Sequence, residues 1–178
     1  MYGWHTARRA TLATLLSFAA AAGPSAQAPR PEIAIKSEFV LRFPEFVEWP
    51  MPVSDRRPLS LCLSPAHPFG PNVQTSASGQ ARAKQITVRE LRDHESVRTC
   101  DVIYVAPADL SLLETVGNLP ILTVGDQPNF CQRGGMINLR VIDGRVRFEI
   151  DLSRARRSGL KMDSQLLRLA SKVYGGPL

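Results

Sequence analysis

The spacing of apolar residues in the first half of the chain predicts one helix followed by short buried strands. Between Glu32 and Val47, apolar side chains recur every three or four residues, the period of an amphipathic helix. Pro44 lies inside this pattern and predicts a kink or a restart, because proline lacks the backbone N–H that a helix needs. Three short apolar runs then predict strands: Leu59–Leu63, Gln85–Val88 and Val102–Ala106.

Between and after these strands the pattern returns to helical spacing. Asn72 is placed to cap a short helix through the following Ala/Ser/Gln stretch. Ala108–Val116 predicts a second helix with one apolar side, and Ile121–Val124 predicts a fourth strand. Alternation of strands and helices favours a parallel sheet with helices packed on its faces.

The last third of the chain changes to strict alternation. Apolar residues occupy every second position in Ile137–Val141 and again in Val146–Leu152, on either side of Asp143–Gly144. Two matched runs around Asp-Gly predict an antiparallel hairpin with one buried and one exposed face. A final helix is predicted over Asp163–Val173. We therefore expect a three-layer α/β/α sandwich, with a mostly parallel central sheet and a C-terminal antiparallel hairpin.

The N-terminal segment has the pattern of an export signal. Arg8 and Arg9 precede the apolar run Ala10–Ala22, which is too short to span a bilayer. Two cleavage sites fit the small-residue rule, Ala26–Ala28 and Ala20–Ala22. Twin-arginine export and a retained membrane anchor are alternatives. The domain boundaries expected are a signal over residues 1–28 and one α/β domain over residues 29–178, located in the periplasm.

The net positive charge of the chain does not by itself indicate a nucleic-acid partner. The chain has 22 Lys+Arg against 16 Asp+Glu, a formal charge of +6. Two of the basic residues belong to the signal, and the others are spread along the chain rather than interleaved with aromatic residues as in a stacking platform. We therefore expect no nucleic-acid partner.

Residue types with catalytic or metal-binding chemistry do not form a recognisable motif. His67 and His94 lie in polar loops with no second His or Cys at metal-ligand spacing. Asp101 and Asp109 flank the third strand, but carboxylates without a partner base or metal more often cap turns. The expectation is a protein without catalytic residues, cofactor or metal.

A glycine-rich loop follows the fourth strand. Gly125–Asp126 and Gly134–Gly135 bracket residues 127–133, with Arg133 beside the second pair. Such a loop either cradles an anion or forms a long turn with positive φ at Gly134 or Gly135, and the sequence favours the turn. Gly125, Asp126, Arg133, Gly134 and Gly135 are therefore kept as a possible ligand loop.

Three cysteines allow one disulfide and leave one thiol over. Cys62 lies in the first strand and Cys100 next to the third, so they come within bridging range if these strands are neighbours. Cys131, in the glycine-rich loop, would then be free. The alternative is that all three remain reduced.

Several segments, in order along the chain, resemble the YfiR family. The segments are Phe46–Pro50, Leu61–Cys62, Pro68–Gly70, Pro120–Asp126, Gly134–Asn138, Val146–Ile150, Gly159–Lys161 and Ser164–Leu167. The resemblance extends from about Ile35 to Val173 and departs from the family pattern at Pro44 and Asp163.

The resemblance implies a periplasmic regulator rather than an enzyme. YfiR-like proteins bind the periplasmic sensor domain of an inner-membrane diguanylate cyclase and hold it inactive, and an outer-membrane lipoprotein sequesters them. Cyclic-di-GMP and biofilm formation then rise. The resemblance also implies a homodimer and agrees with a Cys62–Cys100 disulfide. Other membrane sensors are possible partners.

The exposed face of the predicted hairpin is the natural partner surface, because a sheet edge offers both side chains and backbone groups. The expected contact residues are Asn138, Arg147 and Glu149, with Gly159 and Leu160 before the last helix, whereas Phe148 and Ile150 are expected in the core. The main alternative function is a periplasmic small-ligand-binding protein that uses the glycine-rich loop and serves a membrane sensor or transporter. A hydrolase is a third alternative.

Overall fold

The computed structural model describes Met1 and residues 31–50, 58–69, 73, 86–92 and 94–176. The predicted export signal and the short helix expected after Asn72 lie outside the described residues, except for single positions. The helices are α1 (Glu32–Arg42), α2 (Leu112–Val116), α3 (Leu152–Arg157) and α4 (Ser164–Leu169). The strands are β1 (Val47–Glu48), β2 (Leu59–Leu63), β3 (Ile86–Glu90), β4 (Val102–Tyr104), β5 (Leu122–Gly125), β6 (Ile137–Ile142), β7 (Arg145–Asp151), β8 (Lys161–Met162) and β9 (Lys172–Tyr174).

Seven of these strands form the central sheet, in the order β3-β2-β4-β5-β6-β7-β9. The pairs from β3 through β6 are parallel, and β6 pairs with β7 in the antiparallel sense. The short strands β1 and β8 form a separate antiparallel pair. The predicted fold class, an α/β sandwich with a C-terminal hairpin, is confirmed.

One face of the sheet packs against α1 and the C-terminal helices. The apolar stripe of α1 buries Val40 and Leu41, and Phe43 continues it at the first residue after the helix. Pro44 converts the chain into a 3₁₀ turn over Phe43–Phe46, because its ring prevents the α-helical hydrogen bond at that position. The predicted interruption at Pro44 is therefore present and directs the chain into β1.

The opposite face is covered by α2 and by the 3₁₀ turn His94–Thr99. Cys62 of β2 and Cys100, next to β4, form a disulfide in this second core, with their Cα atoms 5.9 Å apart. The strands β2 and β4 are direct neighbours, as the pairing required. Closing a loop of 38 residues stabilises the fold by about 4 kcal/mol in the chain-entropy treatment.

The C-terminal end differs from its prediction. The helix expected over Asp163–Val173 ends at Leu169, and β9 follows. Asp163 begins the helix by accepting a hydrogen bond at Oδ1 from the Gln165 N–H, 2.6 Å away. β9 then pairs in parallel with the end of β7. Sheet pairing outweighs helical spacing here, because the apolar residues of this short segment fit either period.

The helix expected over Ala108–Val116 is shorter as well. It consists of a 3₁₀ turn over Pro107–Asp109 followed by α2. The Asp109 carboxylate accepts a hydrogen bond from the Ala66 N–H at 2.9 Å, and Ser64 Oγ accepts one from the Ala106 N–H at 2.8 Å. These bonds link the carboxyl ends of β2 and β4, where the strand order reverses and open α/β sheets often bind ligands. None of the described helices has the length and apolarity to cross a membrane.

Candidate functional site: the C-terminal hairpin and the adjoining cleft

The hairpin is defined by its two-residue turn. Asp143 and Gly144 have φ values of 50° and 69°, the left-handed conformation that a type I′ turn requires at both central positions. The turn sets the register, with Asn138 opposite Glu149, Arg140 opposite Arg147 and Val141 opposite Val146. The predicted hairpin and its turn are confirmed.

The half of the hairpin next to the sheet, here the hairpin base (residues 137–139 and 148–150), is buried on both faces. The Phe148 ring packs against Phe39 and Phe43 at centroid distances of 5.9 and 5.2 Å. On the other face the 3₁₀ turn Cys131–Arg133 lies against β7, and Tyr174 Oη lies 3.5 Å from Glu149 Oε2. The hairpin base is therefore part of the core, and the prediction of Phe148 and Ile150 as core residues is confirmed.

The expectation that Asn138 and Glu149 lie on an exposed face is wrong. Asn138 is 0% exposed and Glu149 8%. Glu149 accepts a hydrogen bond from Asn138 Nδ2 at 3.5 Å and forms an ion pair with Arg140 at 3.5 Å. Polar and apolar residues alternate in β7 although both of its faces are covered at the hairpin base. The apolar face packs on the aromatic core, and the polar face is covered by the loop that contains Cys131 and by Tyr174. A role for these two residues in partner binding would need to act through the exposed Arg140 side chain.

The half of the hairpin next to the turn, here the hairpin tip (residues 140–147), is exposed except for Val146, which is half-buried against the core. Arg147 is exposed as expected, together with Arg140 and Arg145. Val141 and Ile142 are 45% and 40% exposed, which makes them two of the few large apolar side chains on the surface of the described residues. Three arginines and two β-branched residues thus share one projecting turn.

Gly159 and Leu160 lie elsewhere. Leu160 is 1% exposed and belongs to the core beside α1, so it does not lie on the surface where a partner contact was expected. Gly159 is exposed and approaches the Pro50 ring, to which a Cβ at Gly159 would come within 3.3 Å. These two residues position the β1–β8 pair rather than extend the hairpin surface.

The glycine-rich loop encloses an aromatic ring. Phe130 is fully buried, and a Cβ at Gly125 would lie 2.8 Å from its ring, while one at Gly135 would overlap it. Both glycines are therefore needed for close approach to Phe130. Gly134 has φ of 96°, which confirms the predicted turn with positive φ.

The backbone of this loop is already hydrogen-bonded. The Arg133 N–H donates to the Asn129 and Phe130 carbonyls, and the Gly134 and Gly135 N–H groups donate to the Cys131 and Phe130 carbonyls. Anion cradles depend on N–H groups that are free to face the ligand. The hydrogen bonding therefore favours the interpretation of this loop as a turn. Arg133 is exposed on the surface.

Asp126 instead belongs to a polar cluster that the sequence did not reveal. Its Oδ2 lies 2.8 Å from Lys36 Nζ, and its Oδ1 accepts a hydrogen bond from the Tyr104 hydroxyl at 2.7 Å. Lys36 also pairs with Glu32 at 2.6 Å. Lys36 and Asp126 are 90 residues apart in sequence, so no local motif could have indicated the pair.

The electrostatics of this cluster favour one protonation state. Burial lowers the pKa of Lys36, but hydrogen bonds and charges from Asp126 and Glu32 outweigh it and raise the pKa above 10.5. Burial, and secondly the Asp126 carboxylate, raises the pKa of Tyr104 well above 10.0. Lys36 therefore stays charged and Tyr104 neutral, which fixes Asp126 between two donors.

A cleft of about 320 Å³ opens beside this cluster. It is lined by Glu32, Lys36, Asp126, Gln127, Pro128, Leu139, Arg140 and Val141. The Gln127 side-chain Nε2 is buried without a hydrogen-bond partner among the described residues, while its Oε1 accepts from the Asp126 N–H at 3.0 Å. The cleft lies between α1, the glycine-rich loop and the strand β6, so it adjoins the hairpin tip.

Cys131 is a buried thiol inside the same loop. Burial, with the negative charges of Glu149 and Asp151 nearby, raises the pKa of Cys131 to about 12. Because the thiolate is the reactive form, a thiol with this pKa is unreactive at neutral pH. The described residues contain no group of three or more His, Cys, Asp or Glu side chains that could hold a metal ion.

These features define an α/β domain whose exposed chemistry is concentrated on a projecting hairpin and an adjacent cleft. The sequence model described as YfiR/HmsC-like matches residues 33–171, and the chain belongs to the YfiR/HmsC-like family. YfiR-like proteins form a regulatory, periplasmic family.

Two solved structures are similar to this chain, and one of them shares its fold. The chain is similar to a conserved domain protein from Vibrio cholerae, at 11% identity and a TM-score of 0.52, over 80% of this chain and 60% of that one. It is also similar to an ABC domain in complex with L-Trp from Streptococcus pneumonia, at 10% identity and a TM-score of 0.46, over 65% of this chain and 55% of that one. The chain thus spans less than two thirds of either structure, and the first likeness shows a shared α/β fold.

Proposed function

We propose that this protein is an exported repressor that binds the periplasmic sensor domain of an inner-membrane diguanylate cyclase and lowers cyclic-di-GMP synthesis. The observation that carries the proposal is the YfiR/HmsC-like match over residues 33–171. The disulfide Cys62–Cys100 supports an oxidising compartment such as the periplasm, because disulfides rarely persist in the cytosol.

The proposal includes the processing and assembly of the chain. Residues 1–28 are removed as an export signal, and residues 29–178 act as one regulatory domain. The mature protein forms a homodimer, and an outer-membrane lipoprotein relieves repression by sequestering it. No enzymatic step and no cofactor are involved.

The test is direct binding followed by a cellular readout. The mature chain, produced under oxidising conditions, is titrated against the purified periplasmic domain of each membrane diguanylate cyclase of the source organism. Saturable binding of one domain, with cyclic-di-GMP rising when the gene is deleted, supports the proposal. If no domain binds at micromolar concentration and deletion leaves cyclic-di-GMP unchanged, the proposal is wrong.

A second candidate function, recognition of a small polar ligand, is favoured by the unpartnered Gln127 Nε2 at the cleft. A buried donor without a partner is costly, and a ligand oxygen would satisfy it. Binding would raise the melting temperature, because a ligand that binds only the folded state stabilises it. A thermal-shift screen with small carboxylic acids and amides tests this. Gln127→Leu should abolish any shift, and the absence of any shift from the screen would count against this function.

A further inference from the structure

The central sheet has an open edge at the hairpin. β5 pairs with β6 only at Ile137 and Asn138, because β5 ends at Gly125 and the chain turns away through Asp126. β6 continues to Ile142 with β7 as its partner along its whole length. Among the described residues, no strand pairs with the other edge of β6 beyond Asn138. Open edges readily accept a further strand.

The register identifies which backbone groups face this edge. In a two-residue hairpin the residues that flank the turn exchange hydrogen bonds, and such pairs alternate along an antiparallel ladder. Ile142 and Arg140 therefore bond to β7, opposite Arg145 and Arg147. The N–H and C=O groups of Leu139 and Val141 then point away from β7, toward the side on which β5 has ended.

The cleft lies along this open edge. Leu139, Arg140 and Val141 form one wall, and the other sides are lined by Glu32, Lys36, Asp126, Gln127 and Pro128. Its volume of about 320 Å³ is enough for a few side chains of an extended segment. The position is the one that β5 would occupy if it continued.

The charge of the cleft itself is balanced, with Glu32 and Asp126 against Lys36 and Arg140, and it is the excess positive charge of the hairpin tip that favours an acidic occupant. Arg140, Arg145 and Arg147 are all exposed on the hairpin tip, and Arg140 lies directly opposite Arg147. Like charges facing each other across a ladder are destabilising. Arg140 is partly neutralised by Glu149 at 3.5 Å, and Asp143 is the acidic residue of the tip. Carboxylates from a partner would complement the remaining charge.

We propose that the open edge of β6, at Leu139–Ile142, accepts an extended acidic segment of the partner protein as an added strand. This inference rests on the proposed function and names the docking element of the regulator. Main-chain hydrogen bonds to Leu139 and Val141 supply affinity. Arg140, which lines the cleft, and the positive charge of Arg145 and Arg147 on the neighbouring strand select acidic side chains.

Two other occupants fit the observations less well. A second copy of the chain, paired edge to edge, would bring two sets of Arg140, Arg145 and Arg147 together, and like charges oppose such pairing. An anionic lipid surface would attract the arginines, but insertion of Val141 and Ile142 would leave the edge N–H and C=O groups of β6 without partners in lipid.

The test replaces one edge N–H with proline. Val141→Pro removes an N–H that faces the open edge and leaves the β6–β7 ladder intact, because proline is tolerated on edge strands. Val146→Pro is the matched control, since Val146 lies directly opposite and its N–H faces away from β6. Urea denaturation establishes that both variants fold, and binding is measured to the cyclase periplasmic domain that the wild-type chain binds.

The expected result is a loss of affinity of at least about tenfold for Val141→Pro and little change for Val146→Pro. Hydrogen exchange on the wild-type complex should show the Leu139 and Val141 amides newly protected. Equal binding by both proline variants, or unprotected amides in the complex, overturns the inference and leaves the proposed function standing. Failure of the wild-type chain to bind any cyclase domain overturns both.

A charge variant tests the chemistry of the occupant. Arg145→Glu should weaken binding more than Arg168→Glu, which makes the same charge change at an exposed position of α4. The difference should shrink as ionic strength rises, because salt screens exposed charges. Equal effects of the two variants would contradict an acidic segment. Loss of dimerisation in Val141→Pro, or binding to phosphatidylglycerol vesicles that Arg145→Glu abolishes, would instead identify a second copy or a membrane as the occupant.

Discussion

The base and the tip of the C-terminal hairpin have the same alternating sequence pattern and opposite environments. At the base, Asn138 and Glu149 are 0% and 8% exposed, because the loop that contains Cys131 and the strand β9 cover the face that a hairpin usually exposes. At the tip, Val141 and Ile142 are 45% and 40% exposed, although they are apolar. The alternation of residue types therefore does not by itself determine burial, which depends on the elements that pack against each part of the strand.

We expect the base to contribute mainly to the stability of the fold and the tip mainly to partner recognition. The base belongs to the core that includes Phe43 and Val40. The tip places Arg140 directly opposite Arg147, an arrangement of like charges that is unfavourable in the free protein. Groups that are poorly satisfied in the free protein are where a partner gains most on binding. Four predictions test this separation, in order of the expected effect on stability.

Truncation at the base should be the most destabilising change. Phe148→Ala removes a ring that packs on Phe39 and Phe43, so we expect a loss of about 3 to 5 kcal/mol in the free energy of unfolding. Val141→Ala, on the exposed tip, should change it by less than about 0.5 kcal/mol. Urea denaturation of both variants measures the difference, and similar losses would show that the tip is also part of the core.

The glycine-rich loop that covers the base is packed so closely that a single added methyl group should lower the free energy of unfolding. Gly135→Ala places a Cβ on the Phe130 ring, and we expect a loss of up to about 3 kcal/mol from overpacking. Gly134→Ala meets no atom within 4 Å but has φ of 96°, so its cost of about 1 kcal/mol comes from backbone strain. A smaller loss for Gly135→Ala than for Gly134→Ala would mean that Phe130 can move aside.

The polar cluster at the boundary between base and cleft should make stability fall at alkaline pH. Lys36 and Tyr104 both have a raised pKa, so the unfolded chain releases these protons first and stability declines as pH rises above about 10. Asp126→Asn should cost about 2 kcal/mol at neutral pH, because Lys36 loses its buried partner.

The same variant should show a shallower decline between pH 8 and pH 11, since Asp126 raises the pKa of both groups. Denaturation curves in a Cys131→Ala background measure the slope without thiol exchange with the Cys62–Cys100 disulfide. A slope equal to that of the parent would show that the burial of Tyr104, rather than the Asp126 carboxylate, accounts for the alkaline sensitivity.

A substitution on the tip should raise stability while it weakens recognition. Arg147→Thr removes one of two arginines that face each other across the ladder, and we expect a gain of about 0.3 kcal/mol in the free energy of unfolding. Arg168→Thr on α4 is the control and should have no such effect. If Arg147→Thr destabilises the protein, the arginines are not in repulsion and the tip is already neutralised within the chain.

Much of the architecture could be predicted from local pattern. Period-2 alternation around Asp143–Gly144 predicted the hairpin, and Pro44 predicted the break after α1, since both depend on interactions within a few residues. The Cys62–Cys100 pairing was predicted for the case in which their strands are neighbours, and the sheet order shows that they are. The end of the last helix was not predictable, because β9 is defined by its pairing with β7 and not by its own sequence.

The sequence by itself determined the order of the elements, the turn geometry and the family to which the chain belongs. Tertiary structure alone decided which polar residues are accessible, because burial of Asn138 and Glu149 depends on segments that lie far from them along the chain or fold back over them. It also brought Lys36 to Asp126 across 90 residues and left the edge of β6 open beyond Gly125. These features arise from packing and pairing between distant segments, which local spacing of residue types does not record.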